Sequence, residues 1–171
     1  MSSIIDVWTD GSSIPNPGKG GWAWTTMDGR QRSGAQETAT NQQMELRAVL
    51  EAIRSLGEPG RVLHIHTDSQ YVIKGMEWWT KNWVKNGWMN SKGEPVKNKE
   101  LWQELLTAST GKSITYTWVK GHSGDIGNEE ADRLAVEASG VSSEELERCN
   151  QRWYRRTKNK ERNNEQSSRV Y

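Results

Sequence analysis

The sequence contains no phenylalanine, a single cysteine and only four prolines among 171 residues. The lone Cys149 excludes a disulfide framework and a cysteine-rich zinc site, and it fits a reducing compartment best. No hydrophobic run approaches the ~20 residues of a membrane-spanning helix. The chain also does not open with a basic segment followed by an apolar one. We therefore expect a soluble, cytoplasmic protein without a signal peptide and without a membrane partner.

Tryptophan is the aromatic residue that the chain does have in abundance. Ten tryptophans accompany a hydrophobic content of only 33%. Because each aromatic side chain can bury ~150–250 Å², we expect a tryptophan-rich core or groove.

The net charge of +1 hides an uneven distribution along the chain. Residues 150–171 carry seven Lys or Arg against two Glu, a net charge of +5, which leaves −4 for residues 1–149. An acidic body with a basic C-terminal segment predicts either binding to nucleic acid through counterion release or a solvated terminus. At this length we expect one domain, or one domain with an appendage.

The hydrophobic pattern predicts a mixed sheet with helices on its faces, in the order βββαβα…αβα. We expect strands over 4–10, 22–27, 30–39, 62–67 and 113–119, with a tight loop over 11–21. Thr40 and Gln43 form a capping box at the start of the first long helix. Helix starts are also expected at Ser69, Asn98 and Asn128, and Gly140 is expected to stop the last helix.

Four carboxylates stand at predicted strand ends and helix starts. Asp10 and Asp68 are expected to end two strands, whereas Glu45 and Asp132 lie about one turn inside two helices. If the two strands were neighbours, Asp10 and Asp68 would lie side by side at the edge where α/β sheets bind ligands. Four clustered anions would repel one another, and Mg²⁺ is bound through carboxylates together with phosphate oxygens. The pattern therefore predicts a magnesium site for phosphodiester chemistry.

Each of these acids also has a purely structural interpretation. Asp10 could be a turn residue, Asp68 a helix cap, and Glu45 and Asp132 exposed helix charges. For each acid considered alone, the structural interpretation is favoured. The functional interpretation therefore depends on the motifs around the four acids.

Seven motifs surround these acids. They are Thr9-Asp10-Gly11-Ser12 with Asn16-Pro17-Gly18, Asn41-Gln42-Gln43-Met44-Glu45-Leu46, Thr67-Asp68-Ser69-Gln70-Tyr71-Val72, Trp83 with Gly87-Trp88, Val96-Lys97-Asn98-Lys99-Glu100-Leu101-Trp102, Trp118-Val119-Lys120-Gly121-His122-Ser123-Gly124, and Asn128-Glu129-Glu130-Ala131-Asp132 with Leu134-Ala135. The order and spacing of these motifs closely resemble those of type 1 ribonuclease H over roughly residues 1–140. The resemblance implies an α/β, ribonuclease H-like fold with a five-stranded mixed sheet flanked by helices.

The resemblance also implies how the chain is organised. Residues 1–140 would be the catalytic domain, and residues 141–171 a C-terminal extension that is basic from about 150. Whether this extension is disordered or partly helical stays open. We expect a stand-alone, bacterial- or phage-like monomer.

The family is an endonuclease that cuts the RNA strand of an RNA/DNA hybrid, largely independently of sequence, and leaves 3′-hydroxyl and 5′-phosphate ends. By this resemblance Asp10, Glu45, Asp68 and Asp132 would be catalytic ligands of two Mg²⁺ ions, for which Mn²⁺ could substitute. Asp10 would bridge the ions, one of which would activate the attacking water while the other stabilised the leaving 3′-oxygen.

His122 lies in a glycine-flanked loop, and its catalytic role is likewise implied by the resemblance, as proton transfer or product release. Histidine suits such work because its ordinary pKa lies near neutrality. Without the family context, a solvated loop histidine would be the simpler interpretation. His64 and His66 lie within a predicted strand and are interpreted as structural.

Selecting a hybrid requires contacts to the 2′-hydroxyl, which distinguishes RNA from DNA. The family pattern assigns the RNA strand to Ser12, Ser13, Asn16, Asn41, Gln42 and Gln70. It assigns a DNA phosphate to Thr40 and Asn98, and the DNA sugars to Trp79. Trp83 and Trp102 are interpreted as core.

One segment departs from the family pattern. Bacterial members often carry a strongly basic protrusion between the positions of Trp83 and Trp88, where this chain has Val84-Lys85-Asn86. We hypothesise that the basic C-terminal segment compensates in part for the positive charge that this protrusion has in bacterial members. Alternative functions are a ribonuclease H domain of a reverse transcriptase, a non-catalytic nucleic-acid binder and an integrase-like nuclease acting on DNA.

Overall fold

The computed structural model describes residues 3–167, without the side chains of Trp153, Glu161 and residues 163–167. The chain divides into two compact units, Met1–Gly140 and Val141–Tyr171. The predicted basic segment includes Arg169, which lies outside the described residues.

One five-stranded sheet forms the centre of the first unit. Its strands are β1 (Ile4–Ile14), β2 (Gly18–Thr25), β3 (Gln31–Ala39), β4 (Val62–Thr67) and β5 (Ser113–Trp118). Their order in the sheet is β3-β2-β1-β4-β5. The β1–β2 and β2–β3 pairs are antiparallel, and the β1–β4 and β4–β5 pairs are parallel. The prediction of a mixed five-stranded sheet is confirmed.

Six α-helices are described. They are α1 (Asn41–Leu56), α2 (Gln70–Lys74), α3 (Thr80–Lys85), α4 (Lys99–Ser109), α5 (Ile126–Ser139) and α6 (Ser143–Ser167), with a π-helical turn at Gly75–Trp79 between α2 and α3. Helix α6 belongs to the second unit and spans most of its described residues. None of the described helices is apolar over a length sufficient to cross a membrane.

Helices α1 and α5 cover opposite faces of the sheet. Successive side chains of a strand point to opposite faces, and β2 shows this directly. Trp22 and Trp24 lie in the core cluster that includes α1, whereas Ala23 between them packs with Leu134 and Ala135 of α5. With Trp102 of α4 fully buried, the expected tryptophan-rich core is confirmed.

The predicted loop over residues 11–21 is wrong, because two strands continue through most of it. Strand β1 runs on to Ile14, and β2 already begins at Gly18, so only residues 15–17 form the connection. Ser13 pairs with Gly20 and Asp10 with Ala23. The glycines of β2 resemble a turn in sequence, but here they donate and accept ladder hydrogen bonds.

Asp10 therefore lies inside a strand rather than at its end. The parallel pairing of β1 with β4 nevertheless stops at Thr9 and Thr67. Asp10 and Asp68 are the next residues along the chain, so they lie side by side because β1 and β4 are neighbours, as expected. Strand β1 continues past this point because β2 still pairs with it.

One predicted helix start differs from the structure, whereas the start of α4 after Asn98 is confirmed. The cap of α5 is Asp125 rather than Asn128, and the Asp125 Oδ1 atom accepts a hydrogen bond from the Asn128 N–H at 2.8 Å. Asn98 precedes α4 in a left-handed conformation, and its side chain makes no capping bond. The capping box at Thr40 and Gln43 is confirmed, with bonds of 3.1 and 3.0 Å.

Gly11 allows α1 to approach β1 closely. A Cβ atom at Gly11 would lie 2.2 Å from the backbone nitrogen of Glu45 and from the carbonyl carbon of Met44. Any larger residue must therefore push the first turns of α1 away from the sheet, and Glu45 with them.

We expect the Gly11→Ala substitution to lower the free energy of unfolding by about 3 kcal/mol, because the conflict is with backbone rather than with a movable side chain. Gly60→Ala is the matched control, since Gly60 has a positive φ but open space around it, and it should cost only about 1 kcal/mol. Urea unfolding measures both. Equal losses for the two variants would contradict the close approach.

Candidate active site

Three of the four predicted carboxylates converge at the ends of the paired segments of β1 and β4. One carboxylate oxygen from each of Asp10, Glu45 and Asp68 lies within 4.8 Å of the other two. The sheet supplies Asp10 and Asp68, and Glu45 reaches them as the fifth residue of α1. The capping box fixes where α1 begins, and therefore where Glu45 lies.

Burial dominates the electrostatics of this cluster. The pKa of Asp10, which is only 4% exposed, is raised well above its ordinary value by desolvation first and by the Glu45 carboxylate second. Burial likewise raises the pKa of Glu45, while its hydrogen bond with Asp10 acts in the opposite direction. Both carboxyl groups therefore bind protons more tightly than isolated carboxyls do. The Asp10 Oδ1 atom also accepts a hydrogen bond from the Gly11 N–H at 2.9 Å.

Asp68 is less buried than Asp10, and its neighbours shift its pKa in opposite directions. Its pKa is raised by desolvation and then by the charge of Asp132, and it is lowered by His122 and by a hydrogen bond with Asn128. The opposing contributions of His122 and Asp132 show that both face Asp68.

Asp132 occupies a more peripheral position than the other three acids. It is the seventh residue of α5, because that helix starts at Ile126 rather than at Asn128. Its charge raises the pKa values of Asp10, Glu45 and Asp68, but its carboxylate is not among the oxygens that converge within 4.8 Å.

The oxygen atoms of this cluster fit a divalent cation. The Glu45 Oε2 atom is buried and has no hydrogen-bond partner, although part of the side chain is accessible. A buried carboxylate oxygen without a partner is costly unless a cation compensates it. Hard divalent ions prefer such all-oxygen ligands, so the residues present match a metal centre.

The loop between β5 and α5 brings His122 to this cluster. His122 is exposed and adopts a positive φ of 54°. The loop is tied to the sheet at its start, where the Val119 N–H donates to the Thr67 carbonyl at 2.9 Å. The Trp118 Nε1–H donates to the Asp68 carbonyl at 3.2 Å. These bonds leave the imidazole of His122 beside Asp68 and open to solvent.

A polar network joins the β1–β2 connection to the start of α1. The Ser13 N–H donates to Asn41 Oδ1 at 2.7 Å, and the Asn41 N–H donates to Asn16 Oδ1 at 3.1 Å. The buried Ser13 hydroxyl bonds to the Ala39 carbonyl at 2.6 Å, so this side chain organises the turn. The side chains of Asn16 and Asn41 remain exposed, while Ser12 and Gln42 are half-buried.

A second chain of contacts links α1 to the tryptophan-rich segment. The Gln43 amide donates to Asn98 Oδ1 at 3.3 Å, and the Asn98 amide donates to the Tyr71 hydroxyl at 3.2 Å. Trp79 packs edge-on against Tyr71 with ring centroids 5.8 Å apart. The capping residue Thr40 and Asn98 are therefore connected through Gln43. Gln70, the first residue of α2, is exposed two positions after Asp68.

Asn128 is a site residue that the sequence interpretation missed. It was assigned to a helix cap, but it is 2% exposed and hydrogen-bonds Asp68. Its Oδ1 atom is buried without a partner. The spacing Asp125-x-x-Asn128 is itself a capping pattern and could have placed Asn128 inside the helix, facing the acids.

Comparison with known proteins identifies the family. The RNase H family model matches residues 2–140. A ribonuclease H from Acidiphilium cryptum is 45% identical over 138 residues, covering 79% of this chain and 86% of that protein. A ribonuclease H from Xanthomonas campestris is 48% identical over 134 residues, covering 77% of this chain and 89% of that protein.

A solved structure shares the fold. The crystal structure of LC9-RNase H1, described as a type 1 RNase H with the type 2 active-site motif, superposes with a TM-score of 0.71 at 30% identity and covers 86% of this chain and 81% of that one. The resemblance proposed from the seven motifs is confirmed. The chain belongs to the ribonuclease H family, whose members are metal-dependent endonucleases acting on the RNA of RNA/DNA hybrids.

Proposed function

We propose that this chain hydrolyses the RNA strand of RNA/DNA hybrids with two Mg²⁺ ions held by Asp10, Glu45, Asp68 and Asp132. The observation that supports this most strongly is the convergence of three carboxylates around a buried, unpaired Glu45 oxygen. The central position of Asp10, in contact with Glu45 and close to Asp68, suits a ligand shared by both ions. Mn²⁺, which also prefers oxygen ligands, would serve as a substitute.

When bound, the two ions supply an activated water and charge stabilisation of the leaving 3′-oxygen, which gives 3′-hydroxyl and 5′-phosphate products. The protein's part is to hold the ligands in place before the substrate arrives. Asp10 would bind a cation in its ionised form, which burial disfavours in the absence of a cation, and Asn128 would orient the Asp68 carboxylate through their hydrogen bond.

His122 is suited to moving a proton at the edge of this centre. Its imidazole is exposed, is close enough to Asp68 to act on its charge, and belongs to the loop between β5 and α5. In this position it can accept a proton from the reaction and exchange it with solvent, or assist the departure of the product.

The exposed polar side chains around the site would recognise the hybrid by its backbone rather than by its bases. Asn16, Asn41, Gln42, Gln70 and Ser12 would contact the RNA strand, with Ser13 holding the turn that presents Asn16. Thr40 and Asn98, joined through Gln43, would hold a DNA phosphate. Trp79 would pack against the DNA sugars.

We infer that helix α6 compensates in part for the weakly basic segment between Trp83 and Trp88. Arg148, Arg152, Arg155 and Arg162 follow helical spacings of four, three and seven residues and are exposed, so they share one face of α6. At 1.5 Å per residue this basic face is ~21 Å long, which is enough to neutralise several phosphates of a nucleic-acid strand.

The proposed reaction is tested with a defined hybrid incubated with Mg²⁺ beside matched RNA/RNA and DNA/DNA duplexes. Only the RNA of the hybrid should be cut, and its downstream fragments should carry a 5′-phosphate that a 5′-phosphate-dependent exonuclease recognises. Asp10→Asn should abolish cleavage, whereas Glu129→Gln, an exposed acid on α5, should not. Cleavage of the DNA/DNA duplex, or an active Asp10→Asn variant, would refute the proposal.

Neutralising the basic face of α6 should weaken substrate binding without slowing chemistry. We expect the Arg152→Gln, Arg155→Gln, Arg162→Gln triple variant to raise KM, and to reduce the slope of log KM against log salt by up to ~2–3, since each lost phosphate contact contributes ~0.7–0.9. The value of kcat should stay unchanged.

The matched control replaces three cations outside α6, at Arg54, Arg61 and Lys112. Arg61 and Lys112 directly precede β4 and β5, at the end of these strands that lies away from Asp68, so this control should have the smaller effect. Equal KM values for both triple variants and the unsubstituted protein would show that α6 does not bind substrate.

A further inference from the structure

A second group of metal-ligating side chains lies on the sheet, outside the carboxylate cluster. One ligand atom from each of Asp6, His64 and His66 lies within 4.8 Å of the other two. The chain has three histidines, and two of them are in this group. The proposed reaction uses none of these residues.

The parallel pairing of β1 with β4 creates the group. Asp6 pairs with His64, and Trp8 pairs with His66. Residues two apart on a strand point to the same face, so both imidazoles stand on the face that carries Asp6. No short-range sequence signal shows this, because the histidines and the aspartate are about 60 residues apart.

Neighbouring side chains hold both imidazoles in place. His66 stacks on Trp8 with a centroid separation of 4.3 Å and an interplanar angle of 9°. Its Nε2 atom lies 2.9 Å from Asp6 Oδ1. The two ring nitrogens of His64 contact the hydroxyls of Thr115 and Thr117 on β5.

These threonine contacts match what a metal-binding histidine needs. A ligating imidazole usually donates its other N–H to a hydrogen-bond acceptor, which fixes the tautomer. A threonine hydroxyl can accept such a bond, so one nitrogen of His64 can remain on a threonine while the other turns to a cation. The Asp6 side chain is 51% exposed, whereas that of His66 is only 18% exposed. The carboxylate is therefore free to adjust while the imidazole stays fixed.

We propose that Asp6, His64 and His66 form a binding site for a borderline transition-metal dication such as Zn²⁺. Two imidazoles and a carboxylate are a ligand set that Zn²⁺ accepts at 2.0–2.2 Å, leaving a further position for water. Closing the ligand atoms around the ion requires the exposed Asp6 carboxylate to move and one ring nitrogen of His64 to leave its threonine partner. Without a metal, the same residues form the His66–Asp6 pair and the threonine bonds seen here.

The two sites differ in the metals that they select. Imidazole ligands favour Zn²⁺, Cu²⁺ or Ni²⁺, whereas carboxylates favour Mg²⁺ and Mn²⁺. Asp6 and Asp10 are four residues apart on β1, a separation of ~13 Å. The chain therefore presents two distinct cation sites along one strand.

The test titrates the full-length protein with Zn²⁺ while millimolar Mg²⁺ occupies the carboxylate site. A Cys149→Ser background removes the exposed thiol. Calorimetry reports affinity, and long-range ¹H–¹⁵N NMR spectra resolve the three imidazoles separately. We expect the resonances of His64 and His66 to shift together at Zn²⁺ equimolar with the protein, with that of His122 unmoved.

Variants then separate ligation from a purely structural role. The His64→Gln, His66→Gln double variant and the Asp6→Asn variant should each weaken Zn²⁺ binding at least about tenfold, because even loss of an outer-shell partner costs that much. Circular dichroism and Mg²⁺-dependent hybrid cleavage confirm that each variant is folded. The His122→Gln control should bind Zn²⁺ as tightly as the parent protein.

Two results would contradict the proposed Zn²⁺ site. One is unchanged Zn²⁺ affinity in the double variant. The other is a titration in which the His64 and His66 resonances stay fixed at equimolar Zn²⁺. Because the Zn²⁺ measurements do not depend on RNA cleavage, they can fail or succeed independently of the proposed nuclease function.

Discussion

The burial of several carboxylates against one another is the constraint on which the rest of this structure depends. Asp10, Glu45 and Asp68 would separate if they were free, because like charges repel and desolvation penalises each ionised form. The raised pKa values of all three show that cost. A divalent cation compensates the charge and gives the buried Glu45 oxygen a partner. Metal dependence thus follows from the same arrangement that destabilises the protein without metal.

The fold holds this cluster together with rigid elements. Parallel pairing of β1 with β4 places Asp10 and Asp68 at the same level of the sheet, and the absence of a side chain at Gly11 lets α1 bring Glu45 against them. Asp68 directly follows β4, whereas His122 lies in the longer loop between β5 and α5. This difference suits the proposed roles, because metal ligands must be fixed in advance whereas a proton carrier must reach solvent. Helix α6 belongs to a separate compact unit, and the nucleic-acid contact proposed for its basic face involves none of the clustered carboxylates.

Sequence reasoning succeeded where local chemistry determines structure. The capping box placed the start of α1 and hence Glu45, and the apolar run over 62–67 placed Asp68. Prediction from the sequence failed where the structure depends on pairing between segments that are far apart in the chain. Glycines 18, 20 and 21 looked like a loop, yet they pair with β1, so Asp10 was wrongly expected at a strand end. The proximity of His64 and His66 to Asp6 was likewise not predictable, because it depends on the β1–β4 register, which no local pattern reveals.

The most direct test of the central constraint is the free energy of unfolding as a function of pH, measured in EDTA for the unsubstituted protein and for Asp10→Asn. The native state holds the Asp10 proton more tightly than the unfolded chain, so the stability of the unsubstituted protein should fall as pH rises above the ordinary aspartate pKa of ~3.9. Asp10→Asn should therefore be more stable near neutral pH, by on the order of 1–3 kcal/mol, since one pKa unit corresponds to ~1.4 kcal/mol. This advantage should vanish below about pH 4, where the carboxyl is protonated in both states. A variant that is equally or less stable than the unsubstituted protein at neutral pH would contradict the account.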